Sequence, residues 1–357
     1  MSMPLPPNIG RYNPTSFLGA GGMQNVFLAH DGVFERAVAL KVPKLDAQKS
    51  RFSRTARVSA QINHPNVAKT LDYFADDTGS PYLIEEFVDG MDLSKIAKLG
   101  LQFLPPTLCA RLFHQLLKGL TASHAAGVVH RDLKPSNIMV EGGVEFANVK
   151  ITDFGIAKMA EEEIAEWAEA DDQTSTNSAT VLGAIPYMSP ESIQNFRDAS
   201  FPSDVWAIAA IVFELLTGKK PFGGNLASVP RILSGVVPPL PNFCNAQQYK
   251  GLAGELDVLI RSCLIVDPGK RPTAASLERS LQEICYSTDA FEVAEVSSVP
   301  ESWYAFLKAP GKKPLMCHRD SLYGASSFQE GEKLLVGRHL GSPNDRAFPA
   351  VKFRTQD

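Results

Sequence analysis

Along the first ninety positions the apolar residues fall in short alternating runs, "VFLAHD", "RAVALKV", "NVAKTLDYFAD" and "PYLIEEFV", with Gly and Asp between them. Alternation of this kind puts successive side chains on opposite faces of a strand, so a small antiparallel sheet is predicted up to about residue 88. One helix, over about residues 47–62, interrupts it. From about residue 91 the period lengthens. "LCARLFHQLLKGLTASHAAG" places Leu112, Leu116, Leu117 and Leu120 on one face and closes at Gly127, the pattern of an amphipathic helix with a glycine stop. The chain then reads mainly as helix to about residue 287, apart from a long central loop, and no internal repeat is visible. Residues 288–357 carry Pro, Gly, Ser and aromatics without a period. The aromatics there, among them Trp303, Tyr304, Phe306, Phe328, Phe348 and Phe353, are too many for a flexible linker. The expectation is an irregular module or a strap packed on the main body, with disorder as the alternative.

The 357 residues are ample for two or three domains, and 44% hydrophobic with 21% charged residues is a globular composition. A net charge of -4 argues against nucleic acid as a bulk partner, since phosphate binding needs a basic surface. The longest apolar run, "VWAIAAIVFELL" at 205–216, is too short to span a bilayer and contains Glu214, so it is read as a buried helix and no membrane insertion is expected. The start, "MSMPLPPNIG", carries no export signal, and the five cysteines are scattered without a C-x-x-C pair. Together these predict a reduced, cytoplasmic protein without a zinc site.

Four segments carry chemistry. "LGAGGMQNVFLA", residues 18–29, is a glycine-rich turn between strands; such turns bring backbone N–H groups to phosphates, although hairpin glycines are more often only turn formers. "VALK" ends a strand at Lys41. "HRDLKPSN", residues 130–137, spaces Asp132, Lys134 and Asn137 closely, and "VKITDFG" ends a strand at Asp153. A base, a cation and two metal-binding oxygens are what phosphoryl transfer from a nucleotide to a hydroxyl requires.

With these motifs in this order, residues 10–285 resemble the protein kinase family, and the lysine after "HRD", "DFGIAK" and "YMSPE" are similar to its bacterial Ser/Thr members. The resemblance implies an α+β, two-lobed fold. The N-lobe (10–88) would be a small antiparallel sheet with one helix, the C-lobe (89–287) mainly helical, with residues 1–9 an N-terminal tail and 288–357 an irregular extension. It implies Mg²⁺ and ATP as cofactors and a protein with a Ser or Thr acceptor as partner. Asp132 would take or orient the acceptor proton, Lys134 would neutralise the moving phosphoryl group, and Asn137 and Asp153 would hold Mg²⁺. Lys41 would hold the α- and β-phosphates under Gly19 and Gly21. Val26 and Ala39 would cover the adenine, Met139 would floor it, and the backbone from Glu86 to Val88 would read its edge. Glu191 would pair with Arg271, and Asp204 would bind the backbone of the catalytic loop.

The sequence departs from that pattern in places. The helix glutamate that pairs with the strand lysine is replaced by Thr55, in a stretch offering Arg51, Arg54 and Arg57 but no acid. Glu85, at the back of the nucleotide pocket, is then expected to pair with Lys41, because a buried carboxylate needs a partner. The alternatives are a shifted register that turns Glu85 to solvent, or a phosphate on Thr55. Gln24 replaces the third loop glycine, Ala184 a threonine near the catalytic Asp, and Ser189 the alanine of A-P-E. The central loop holds an acidic stretch, 161–172, then Thr174, Ser175, Thr176, Ser178 and Thr180, candidates for autophosphorylation by self-association, with Arg131 placed to bind the phosphate. The departures keep a second function open, a pseudokinase scaffold that binds nucleotide and transfers phosphate weakly or not at all.

Overall fold

The computed structural model describes residues 4–20, 24–44, 56–76, 79–154 and 183–353. Five antiparallel strands form the first sheet: β1 (Tyr12–Ala20), β2 (Gln24–Asp31), β3 (Arg36–Pro43), β4 (Thr70–Ala75) and β5 (Pro81–Glu86), in the order β1-β2-β3-β5-β4. The alternating runs build it as predicted, burying Phe27, Ala29, Val38, Leu40, Tyr82 and Ile84 on a common core. Of the helix expected over 47–62, only residues 56–59 are described as helical; Arg51, Arg54 and Thr55 lie outside the described residues.

The second layer is helical, with a small sheet of β6 (Gly90–Asp92), β7 (Ile138–Glu141) and β8 (Asn148–Ile151) against it. Its helices in chain order are α1 (Leu93–Lys98), α2 (Pro106–Ala125), α3 (Pro190–Gln194), α4 (Phe201–Thr217), α5 (Val229–Ser234), α6 (Lys250–Cys263) and α7 (Ala274–Glu283). Leu112, Leu116, Leu117 and Leu120 of α2 are fully buried, as their spacing requires. Helix α4 is the apolar run: Ser200 and Ser203 close a capping box at its start, and Gly218 stops it in the left-handed region at φ 72°. The two layers are stitched at the turn after Ile62. Asn66 donates to the Val149 carbonyl at 2.8 Å and accepts the Ile151 amide at 2.9 Å, and Gly119 lets α2 come close: a Cβ there would lie 2.8 Å from the Asn66 oxygen. That contact sets where β8 ends, and therefore where Asp153 sits.

The expectation for residues 288–357 is corrected. β9 (Phe291–Glu301), β10 (Tyr304–Lys308), β11 (Leu315–His318), β12 (Lys333–His339) and β13 (Asp345–Lys352) close into a barrel in the order β10-β11-β13-β12-β9, with only β11 and β13 parallel. Closure pairs every strand on both edges, which is how so short a segment satisfies its backbone. The pattern was hard to read because small interior residues, Ala294, Ala305, Cys317, Ala347 and Ala350, are interspersed with larger ones such as Val296, Leu307, Leu315 and Leu334 on strands as short as four residues. The barrel is packed on the helical layer. Tyr323, 1% exposed, is wedged among the rings of Phe103, Phe243 and Tyr249 and donates its hydroxyl to the Leu216 carbonyl at 2.9 Å. Phe348 stacks on Tyr249, Phe328 lies in the barrel interior, and Trp303, Tyr304 and Phe306 form a ring-to-ring chain.

Candidate active site

Lys41 and Glu85 lie on adjacent antiparallel strands, with Lys41 opposite Leu83 and Glu85 opposite Ala39. They are therefore diagonal neighbours on one face, within reach of long side chains, and the small Ala39 leaves space between them. The Lys41 ammonium donates to Glu85 and, at 2.7 Å, to Asp153 Oδ1. Both Lys41 and Glu85 are buried, so the pair expected in place of the missing helix glutamate is formed. Burial would lower the Lys41 pKa, but Asp153 and Glu85 outweigh it and raise it above the ordinary lysine value. Burial pushes the Glu85 carboxyl up against the pull of Lys41, whereas for Asp153 burial is overcome by Lys41, His130 and Lys134 and its pKa is lowered.

Asp132 sits in a loop whose shape is imposed from below by Asp204 of α4. The Asp204 carboxylate accepts the amides of His130 and Arg131, each at 2.8 Å, while Arg131 takes a left-handed φ of 69°. His130 accepts the Asp132 amide on Nδ1, so its Nε2 carries the proton and donates to the Thr152 carbonyl at 2.8 Å. That bond ties the loop to the residue before Asp153. Lys134 donates to both Asp132 oxygens, at 3.0 and 2.8 Å, and Asn137 Nδ2 donates to Asp132 Oδ2 at 3.1 Å and to its carbonyl at 2.8 Å. Asp153, at φ 63°, turns away from β8, and the following Phe154 ring packs 4.6 Å from His130.

Two hard side-chain oxygen donors, the Asp153 carboxylate and the Asn137 amide, suit a cation such as Mg²⁺, which takes few protein ligands and completes its shell with phosphates and water. No cluster of three His, Cys, Asp or Glu side chains capable of holding a metal exists among the described residues. A residue that sequence reasoning left without a partner also enters here. Gln24, 4% exposed, donates to Asp153 Oδ1 at 2.9 Å, and its Oε1 is buried without a hydrogen-bond partner in the structure. The replacement of a loop glycine was the only signal of it; the contact spans 129 positions.

Of the nucleotide-pocket residues, Val26 faces Lys41 across β2–β3, Gly19 faces Val26 from β1, and Met139 lies on β7 opposite Asp92. A Cβ on Gly19 would meet nothing within 4 Å, so the strand leaves open space above it. Gly21 lies outside the described residues, as do the acidic stretch 161–172 and the loop hydroxyls from Thr174 to Thr180. The Glu86 amide donates to the Lys69 carbonyl at 2.8 Å. The Glu86 side chain also pairs with Lys150 of β8 at 2.9 Å, a link between the layers that the motifs did not announce.

Glu191 and Arg271 form a bidentate pair at 2.7 and 2.8 Å, with Ser203 adding a bond at 2.7 Å. Burial opposes the Glu191 charge, but these bonds overcome it and hold its carboxyl below the ordinary value. A depressed carboxylate stabilises the fold above its unfolded pKa and loses that contribution as pH falls through the lower folded value. Glu191→Gln takes the carboxylate from the buried Arg271, which keeps the Ile265, Pro202 and Val266 carbonyls, and is expected to cost about 1–3 kcal/mol at neutral pH. Urea unfolding from about pH 3 to 7 checks it: the variant should lose less stability than the wild type on acidification.

The model of the protein kinase domain matches residues 12–281. The serine/threonine-protein kinase PknB of Mycobacterium leprae is 32% identical over 292 residues, 78% of this chain and 44% of that protein. PrkC of Bacillus subtilis is 34% identical over 61% of this chain and 32% of its own length. A probable serine/threonine-protein kinase of Streptomyces coelicolor, SCO3848, is 32% identical over 77% and 40%. The chain thus spans less than half the length of these curated relatives.

Proposed function

The chain belongs to the protein kinase family, and from that premise we propose that it is a Mg-ATP-dependent protein serine/threonine kinase that also phosphorylates its own central loop. The observation that carries this reading is the convergence of Asp132, Lys134 and Asn137 in one hydrogen-bonded unit held by Asp204, facing the Lys41–Asp153 pair. Mg²⁺, when bound between Asp153 and Asn137, supplies positive charge to the phosphate oxygens. Lys41, fixed by Glu85, orients the α- and β-phosphates, while the Glu86 carbonyl and the Val88 backbone meet the adenine edge between Val26, Ala39 and Met139. Asp132 accepts the proton of the Ser or Thr hydroxyl as the new O–P bond forms and the bond to the departing ADP breaks. Lys134, bonded to Asp132, stands where it can neutralise the moving phosphoryl group.

No helix among the described residues is long and apolar enough to cross a membrane. The scaffold alternative rested on Thr55, Gln24 and Ala184, and the Glu85 pair supplies the partner that Thr55 lacks, which supports the catalytic reading. Incubation with γ-labelled ATP, Mg²⁺ and a generic Ser/Thr substrate tests it. Label on substrate and on the central loop is expected; nucleotide binding without transfer to either would favour the scaffold.

A further inference from the structure

A cleft of about 610 Å³ opens beyond the end of α4. Three of its eight lining residues are cations, Lys219, Lys220 and Arg231, and none is acidic. The cleft is built rather than incidental. Thr217 brackets its entrance, accepting the Lys219 amide at 3.2 Å, and the left-handed turn at Gly223 (φ 85°) lets the Arg231 guanidinium lie close, since a Cβ there would come within 3.3 Å of it. The far wall is braced from behind by Arg261, which donates to the Val237 and Pro238 carbonyls at 3.1 and 2.7 Å and is itself paired with Asp257. The other nearby acid, Glu214, is engaged by the Tyr187 hydroxyl at 2.6 Å.

Tyr187 connects this cleft to the chemistry. The Lys220 ammonium lies 5.2 Å from the centre of the Tyr187 ring, and the same residue lines the small cavity that contains Asp132, Ala184 and Met188. The Tyr187 ring thus links the Asp132 cavity, which it lines, to the cationic cleft, whose Lys220 it meets, and this puts the three cations beside the place where an acceptor hydroxyl would reach Asp132. A cleft of one sign with low-dielectric walls focuses potential on its ligand. Resting on the kinase reading above, we propose that Lys219, Lys220 and Arg231 select protein substrates carrying an anionic side chain, carboxylate or phosphate, close to the acceptor Ser or Thr.

Two measurements on the full chain test this separately from the kinase reading. In fluorescence anisotropy, a labelled Ser peptide flanked by Asp and Glu should bind about tenfold more tightly than its Asn/Gln counterpart, the weight of one or two partly screened charge pairs. Lys219→Glu with Arg231→Glu should erase that difference. On a peptide array with Glu, phosphoserine, Gln or Lys at each flanking position, the wild type should favour the anionic series, and the same variant should lose the preference while phosphorylating neutral peptides at an unchanged rate. The Glu and phosphoserine arms tell which anion is read. Equal binding of acidic and neutral peptides, or a preference that survives the charge reversal, overturns the proposal. Charge-dependent binding without transfer to any peptide would instead remove the kinase reading and leave the anion site standing.

Discussion

Asp132→Asn is expected to lower kcat for peptide phosphorylation by about 10²–10⁴-fold with little change in ATP affinity. The carboxylate is the group placed to take the acceptor proton, and the substitution removes its basicity while keeping its shape. Its oxygens also accept from Lys134 and Asn137, so an amide nitrogen there would face two donors. Some local rearrangement is therefore expected, and thermal unfolding of the variant separates it from loss of the base. Steady-state kinetics against varied ATP discriminates the roles, because a residue acting only in transfer lowers kcat and kcat/KM together. A raised KM for ATP at an unchanged kcat would assign Asp132 to nucleotide binding instead.

The second large effect is expected at Glu85. In Glu85→Ala the buried Lys41 keeps only Asp153 as an anionic partner, and removing one member of a buried pair costs about 3 kcal/mol or more when the remaining charge is poorly compensated. Lys41 should then swing toward Asp153, competing with the cation that carboxylate is placed to hold. The expected outcome is a fall in kcat/KM for ATP of roughly 10²-fold, with a raised requirement for Mg²⁺. The pH profile gives a further readout. Burial raises the Glu85 carboxyl, so acidification protonates it above the ordinary carboxylate range and breaks the pair. An acid limb in kcat/KM displaced upward in the wild type, and absent in Glu85→Gln, is the expected signature. Unchanged kinetics in both Glu85 variants would leave Asp153 as the sufficient partner of Lys41.

The parts of this site that were legible in the sequence are those encoded locally. Asp132, Lys134 and Asn137 lie within six residues of one another, and their mutual bonds form inside the turn that "DLKPSN" makes, although Asp204 of α4 fixes the loop that carries it. Val26, Ala39 and Lys41 follow from period-2 strands, and the four leucines of α2 from a 3.6 period. Glu85 was readable by a different route: in "YLIEEFV" it takes the place before the hinge where the family it resembles usually has an apolar residue or Thr, and a buried charge demands a partner. Gln24 had no such signal, since a polar residue in a turn is ordinary until its amide is seen on Asp153. The barrel was missed because its strands are short and alanines and a cysteine interrupt the larger interior side chains, so each run carries little hydrophobic contrast.

By itself the sequence determined the order of the motifs and the sheet followed by helices, and it singled out the candidates for phosphoryl transfer, because each depends on neighbours a few positions apart. Only the tertiary structure decided what meets across long separations. The register of β3 on β5 joins Lys41 to Glu85 over 44 positions, and the turn after β8 brings Asp153 to Lys41 over 112. Closure of the last five strands pairs β11 with β13, and the loops beyond α4 gather Lys219, Lys220 and Arg231 around one cleft beside Tyr187. Periodicity states which face a side chain takes; register, closure and packing choose the partner waiting on that face.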